Sequence, residues 1–197
     1  MNHALAVIDA QGRVLESDDR ILPLYSVTKT YVAAVVHALG IDPGAPIDRW
    51  IGTERLPRAA EITVRHLLQH TSGLRDYGAL PAYQAAVRAG EPPWRDATFA
   101  RHTLEQPLLF EPGAGWSYAN PGYRLLVEIV ERTSGASFPE LLERHVCEPL
   151  GLEHTRVAEG VFHPALPDYP AEWVWHRLVL ASATDAPITA IFCSTVP

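Results

Sequence analysis

The chain has 197 residues, 47% of them hydrophobic and 20% charged, with a net charge of −7. That length buries a real core, and an acidic balance without a basic run argues against nucleic acid or an anionic membrane surface as partner. The two cysteines, Cys147 and Cys193, lie far apart, which argues against a disulfide framework and a zinc knuckle.

The first residues lack a positive region and meet Asp9 after a short apolar run, so they read as a strand rather than a signal peptide. No stretch is long enough to span a bilayer, and the expectation is a cytoplasmic protein. Residues 5–8 and 13–16 flank the turn-rich quartet Asp9-Ala10-Gln11-Gly12 and predict a β-hairpin. A polar stretch, 17–20, leads into a helix with Val32, Val35, Val36 and Leu39 on one side and Tyr31, Ala33, Ala34 and Ala38 over the rest. Apolar nearly all round, this helix should be buried and should stop at Gly40.

At its mouth stands Ser26-Val27-Thr28-Lys29. Residues three apart share a helix face, so the amine of Lys29 comes within reach of the Ser26 hydroxyl. Burial disfavours the charged form of lysine, as a general base requires. A helix N-terminus favours negative charge developing on the serine. The bland alternative makes Ser26 a helix cap and Lys29 a solvated first-turn lysine, and Ser-x-x-Lys alone does not decide between them.

Residues 41–61 read as a Pro- and Gly-punctuated loop, and 63–70 as a short helix capped near Ile62 or Thr63 that ends in Thr71-Ser72-Gly73-Leu74. Helical segments are expected near 81–89 and 97–105. The loop 111–120 then opens a clear helix, with Asn120 as cap, Pro121 at the first position, Leu125, Leu126, Ile129 and Val130 as the buried stripe and Gly135 as terminator. Another amphipathic helix runs over about 137–147, and Pro149-Leu150-Gly151-Leu152 turns out of it.

Three stretches in this order resemble the serine β-lactamase and penicillin-binding-protein superfamily, in the branch of class C β-lactamases, D-alanyl-D-alanine carboxypeptidases and related esterases. They are Tyr25-Ser26-Val27-Thr28-Lys29, the segment 62–74, and Pro112-Gly113 through Trp116-Ser117-Tyr118-Ala119-Asn120-Pro121-Gly122-Tyr123, which carries the family's Tyr-x-Asn element. Residues 141–155 fit as well. The resemblance implies Ser26 as acylated nucleophile and Lys29 as its proton acceptor. It implies Tyr118 as a phenol whose pKa falls beside the lysine cation, shuttling the proton to the leaving group and later activating the deacylating water. Asn120 would donate its amide to a substrate carbonyl and hold Lys29, and Trp116 is a candidate substrate contact. Ordinary alternatives are a buried aromatic for Tyr118 and a helix cap for Asn120. The other tryptophans, 50, 94, 173 and 175, read as core or cleft wall.

His66 and His70 form an i, i+4 pair that can bind zinc, but no glutamate of an H-E-x-x-H motif lies between them. Core or capping histidines are the preferred reading, and no metal or cofactor is assigned. Ser72 reads as a turn serine.

The family's third motif, a Lys-Thr-Gly or His-x-Gly triplet on a strand beside the nucleophile, is not found after Asn120. His176-Arg177-Leu178 lacks the glycine, and residues 180–185 resemble the start of a family helix. From Ala186 on there is no charge and no helical period, and Pro187 blocks a helix. The expectation is a tail out of frame or a chain that ends early, without the C-terminal strands and helix.

The fold expected is α/β (α+β) of the β-lactamase/transpeptidase type, an antiparallel sheet plus a helical domain, read as one β-lactamase-related domain over 1–197. Within it, 1–40 hold hairpin and nucleophile helix, 41–160 are mostly helical, 161–185 return toward the sheet, and 186–197 form an atypical tail. Ser26 should floor a cleft with Tyr118 on one wall. The function expected is a serine hydrolase acting on an amide or ester through an acyl-enzyme, with a β-lactam, D-alanyl peptide or small ester as the small-molecule or peptide substrate. The alternative is a catalytically inactive truncated homologue serving as a binding module.

Overall fold

The computed structural model describes residues 6–9, 11, 13–17, 21–91, 94–157 and 179–182. Trp173, Trp175, the 176–178 triplet and the tail from 186 on lie outside them. The core grows from two helices. Helix α1 (Thr28–Ala38) buries Tyr31, Val32, Val35 and Val36 and leaves His37 and Ala38 exposed. It is therefore buried on one broad face and not all round. The second, α5 (Asn120–Ser134), puts Leu125, Leu126, Ile129 and Val130 at zero to 1% exposure on a 3.6-residue stripe. It ends at Gly135 in the left-handed conformation that terminates helices (φ 73°).

Around this pair lie α2 (Val64–Leu68), α3 (Pro81–Arg88) and α4 (Asp96–Thr103). A last helical run joins α6 (Phe138–Leu142) through a π-helical turn at Glu143–Cys147 to α7 (Glu148–Leu150), longer than the sequence alone predicts. Ser137 caps α6 reciprocally with Glu140. The loop of 41–61 is tied down by 3₁₀ turns at Ile47–Arg49 and Ala59–Glu61 and by a bridge between Pro46 and Thr63.

Strands β1 (Ala6–Ile8) and β2 (Val14–Ser17) form the antiparallel hairpin, with a register shift between Val7 and Ile8. A second antiparallel sheet runs in the order β3 (Ile21–Pro23), β5 (Val179–Ser182), β4 (Arg156–Val157). Residues 179–182 are thus a strand, correcting the helix start expected there. A run as short as Val179-Leu180-Ala181-Ser182 does not distinguish strand from helix, and two neighbouring strands that satisfy its backbone decide the outcome. Strand β3 runs almost directly into the turn that carries Ser26. No helix among the described residues is long and apolar enough to cross a membrane.

Candidate active site

Ser26 sits in a 3₁₀ turn, Tyr25–Val27, and not in the α-helix itself, which begins at Thr28. Tyr25 adopts φ 44°, a left-handed conformation that non-glycine residues seldom take. Such strain collects where a fold must present a neighbouring group in one orientation. The Ser26 side chain is exposed.

Lys29 lies one turn further on and is 7% exposed. Its Nζ donates to Asn120 Oδ1 at 2.8 Å and stands 4.9 Å from the ring centroid of Tyr118 and 5.5 Å from that of Tyr123. Burial pulls its pKa down to about 7, against the opposing pull of the Asp76 carboxylate. Close to neutrality, much of this lysine is therefore a free amine.

Tyr118 arrives from a loop 92 residues away, and its hydroxyl is 2.8 Å from Ser26 Oγ. Half-burial raises the phenol's pKa, aided by Asp76 and opposed by the bond to Ser26. This corrects the expectation of a phenol acidified by the lysine. Desolvation is the largest influence on the phenol, and desolvation also leaves the lysine only partly charged. Of the two groups, the amine is the one free to accept a proton near neutrality, and the phenol keeps its own.

The loop is fixed by pairing with residues 70–73. Leu109 N–H donates to Gly73 O at 2.8 Å, Gly113 N–H to Thr71 O at 2.8 Å and Ser117 N–H to His70 O at 3.0 Å. Gly73 is required here, because at φ 79° a Cβ would stand 2.4 Å from Phe110 O. Ala119, and not Asn120, is the N-cap of α5. The Asn120 side chain is turned to Lys29, and the cap acceptor comes from Asp76, whose Oδ1 takes the Asn120 N–H at 2.9 Å.

The structure thus brings Ser26, Lys29, Tyr118 and Asn120 together. Trp116 stands near them, 67% exposed, with its ring edge-on to His70 at 6.2 Å. Sequence reasoning missed Asp76. A carboxylate in Arg75-Asp76-Tyr77 carries no local sign that it caps a helix starting 44 residues later. It also missed Tyr123, whose hydroxyl donates to Leu68 O at 2.9 Å while its ring lines the lysine.

The two histidines diverge. His66 Nδ1 accepts from Thr63 N–H at 3.2 Å and completes the cap of α2, whereas His70 Nδ1 accepts from Ala119 N–H at 3.2 Å. Among the described residues, no group of three or more His, Cys, Asp or Glu is placed to hold a metal ion. Buried Ser72 accepts from Leu74 N–H within its own turn, and Trp50 and Trp94 are partly buried against the core clusters. Chemically, the arrangement offers an exposed hydroxyl, a desolvated amine and a protonated phenol around one point.

The beta-lactamase family model matches residues 2–178. A D-aminopeptidase of Gluconobacter oxydans (strain 621H) is 29% identical over 172 residues, 85% of this chain and 31% of that protein. The esterase EstB of Burkholderia gladioli is 34% identical over 152 residues, 68% of this chain and 38% of that one. Among solved structures, a D-stereospecific amidohydrolase from Streptomyces sp. aligns with a TM-score of 0.68 at 26% identity, covering 85% of this chain and 58% of that one. The chain spans about a third of the length of these curated relatives.

Proposed function

The chain belongs to the beta-lactamase family, and from that premise we propose that it is a serine hydrolase cleaving amide or ester bonds through an acyl-enzyme on Ser26. The observation that carries the reading is the 2.8 Å contact between Ser26 Oγ and Tyr118 OH, made beside a lysine whose pKa is about 7. Ser26 Oγ bonds to the acyl carbon while its proton passes to the neutral amine of Lys29, directly or across the phenol. The bond to the leaving group breaks as Tyr118 hands that group a proton, and the phenol is restored from the lysine. Water then adds to the acyl carbon while its proton passes to the amine of Lys29 across the phenol, and Ser26 Oγ leaves as it takes a proton back from the same pair. Asn120 holds the amine and offers its N–H₂ to an acyl-side carbonyl, and Trp116 supplies an apolar wall.

Relatives named a D-aminopeptidase, a D-stereospecific amidohydrolase and an esterase, together with the beta-lactamase family match, support probing three classes: D-alanyl peptides and their amides, β-lactams and small esters. Labelling with a fluorophosphonate or a fluorescent penicillin tests the reading. The expected result is one adduct on the Ser26 peptide, absent in Ser26→Ala and Lys29→Ala. A folded wild-type chain that takes no label overturns it in favour of the binding module.

A further inference from the structure

The loop that delivers Tyr118 is gripped on both sides of that residue by one residue, His70, through its backbone carbonyl on one side and its imidazole on the other. Ser117 N–H donates to the carbonyl of His70 at 3.0 Å, Ala119 N–H donates to the Nδ1 of the same residue at 3.2 Å, and the Tyr118 ring lies between at 4.5 Å and 34° to the imidazole. The rings of Tyr123 at 5.2 Å and Trp116 at 6.2 Å close on the imidazole from two other sides. His70 holds this pose at φ 58°, a left-handed conformation uncommon outside glycine that histidine shares with asparagine and aspartate. An Nδ1 that accepts a backbone N–H carries a lone pair, so the imidazole in this pose is neutral, with its proton on Nε2.

We propose that His70 is a positioning residue for the reaction, seating the Tyr118 hydroxyl on Ser26 only while its Nδ1 is unprotonated; this rests on the reading of Ser26 and Tyr118 given above. The groups that face the imidazole are Lys29 from α1, Asp76 from the loop after α2, and Tyr118 and Tyr123 from the start of α5 and the segment before it. Burial and the Lys29 charge push the His70 pKa below its usual value, and Asp76 pulls the other way. The acceptor form therefore prevails at neutral pH. On acidification Nδ1 becomes a donor pointed at a donor, the Ala119 bond is lost, and the phenol leaves Ser26. Two protonations then disable the site, that of Lys29 and, at lower pH, that of His70.

The test follows the labelling rate of Ser26 by a fluorophosphonate across pH on the whole chain, with nitrogen-15 NMR of the histidine rings in parallel. Wild type should fall about tenfold per pH unit below the lysine titration and about a hundredfold per unit below that of His70. His70→Ala should lose about 10- to 100-fold at neutral pH through a displaced phenol. His70→Asn offers an amide oxygen where Nδ1 stood and tolerates the left-handed backbone. It should recover most of the rate while showing only the single-proton limb. A His70→Ala chain that labels at the wild-type rate, or a His70→Asn chain that keeps the two-proton limb, overturns the proposal. Failure of the serine reading looks different, because wild type and Ser26→Ala would then label alike. In that case the ring nitrogens decide. A bare Nδ1 whose titration moves the Tyr118 and Ala119 signals supports the seating, and a protonated Nδ1 at neutral pH overturns it.

Discussion

Ser26 and Lys29 reach the site along a single turn of backbone, whereas Tyr118 and Asn120 come from 92 and 91 residues away. The first pair needs only the start of α1, anchored by a face whose valines are fully buried. The second pair hangs on a loop pinned by hydrogen bonds to residues 70–73 and on one carboxylate, Asp76. The two halves should therefore fail in different ways. Substitutions in the first remove chemistry and leave geometry, and substitutions around the second remove geometry and leave chemistry.

The sharpest probe of that difference is Tyr118→Phe, because it deletes one oxygen and keeps the ring against His70. If the phenol is a proton carrier, labelling of Ser26 should drop by about 10²–10⁴. Stability should change by no more than about 1 kcal/mol, the net worth of one hydrogen bond, measured by urea denaturation. A Phe variant that labels like wild type would reduce the distant loop to scaffold.

Gly73→Ala acts purely through geometry. Its new Cβ cannot coexist with Phe110 O, and its φ of 79° is strained for alanine, so the loop must shift away from residues 70–73. The expectation is a loss of about 10- to 100-fold in labelling, with more than about 1 kcal/mol of stability lost. The near-neutral pKa of Lys29 should survive, since Tyr123 stays on α5 and keeps its ring against the amine. Collapse of labelling together with a return of the lysine to its ordinary range would show that the two halves are not separable.

The local half was readable in the sequence because its determinants are local. The Ser26-to-Lys29 spacing, the valines of α1 and the Pro121-to-Gly135 span of α5 are all short-range signals. What escaped was set by distant partners. Residues 180–182 become strand because β3 and β4 flank them. Asn120 yields its expected capping role because Lys29 claims its side chain and Asp76 replaces it. The direction of the Tyr118 shift is set first by desolvation, and spacing carries no information about how deeply a phenol will be buried.

Asp76 joins the two halves, and the smallest predicted effect isolates it. Its carboxylate caps α5 and also raises the pKa of Lys29, against the burial that lowers it. Asp76→Asn keeps an acceptor for the Asn120 N–H and removes the charge. The lysine pKa should then fall below about 7. The amine is active when neutral, so the rate falls as pH drops through this pKa, and lowering the pKa moves the acid limb to lower pH. At pH 6 the Asn variant should label faster than wild type, by less than about tenfold, the span of one pKa unit. Above pH 8 the two should coincide. Asp76→Ala removes cap and charge together, so it should label more slowly at every pH as the start of α5 loosens its hold on Asn120. An Asn variant whose limb moves upward, or lies on that of wild type, would mean that Asp76 serves the distant half alone and that the charge on Lys29 is governed by burial without it.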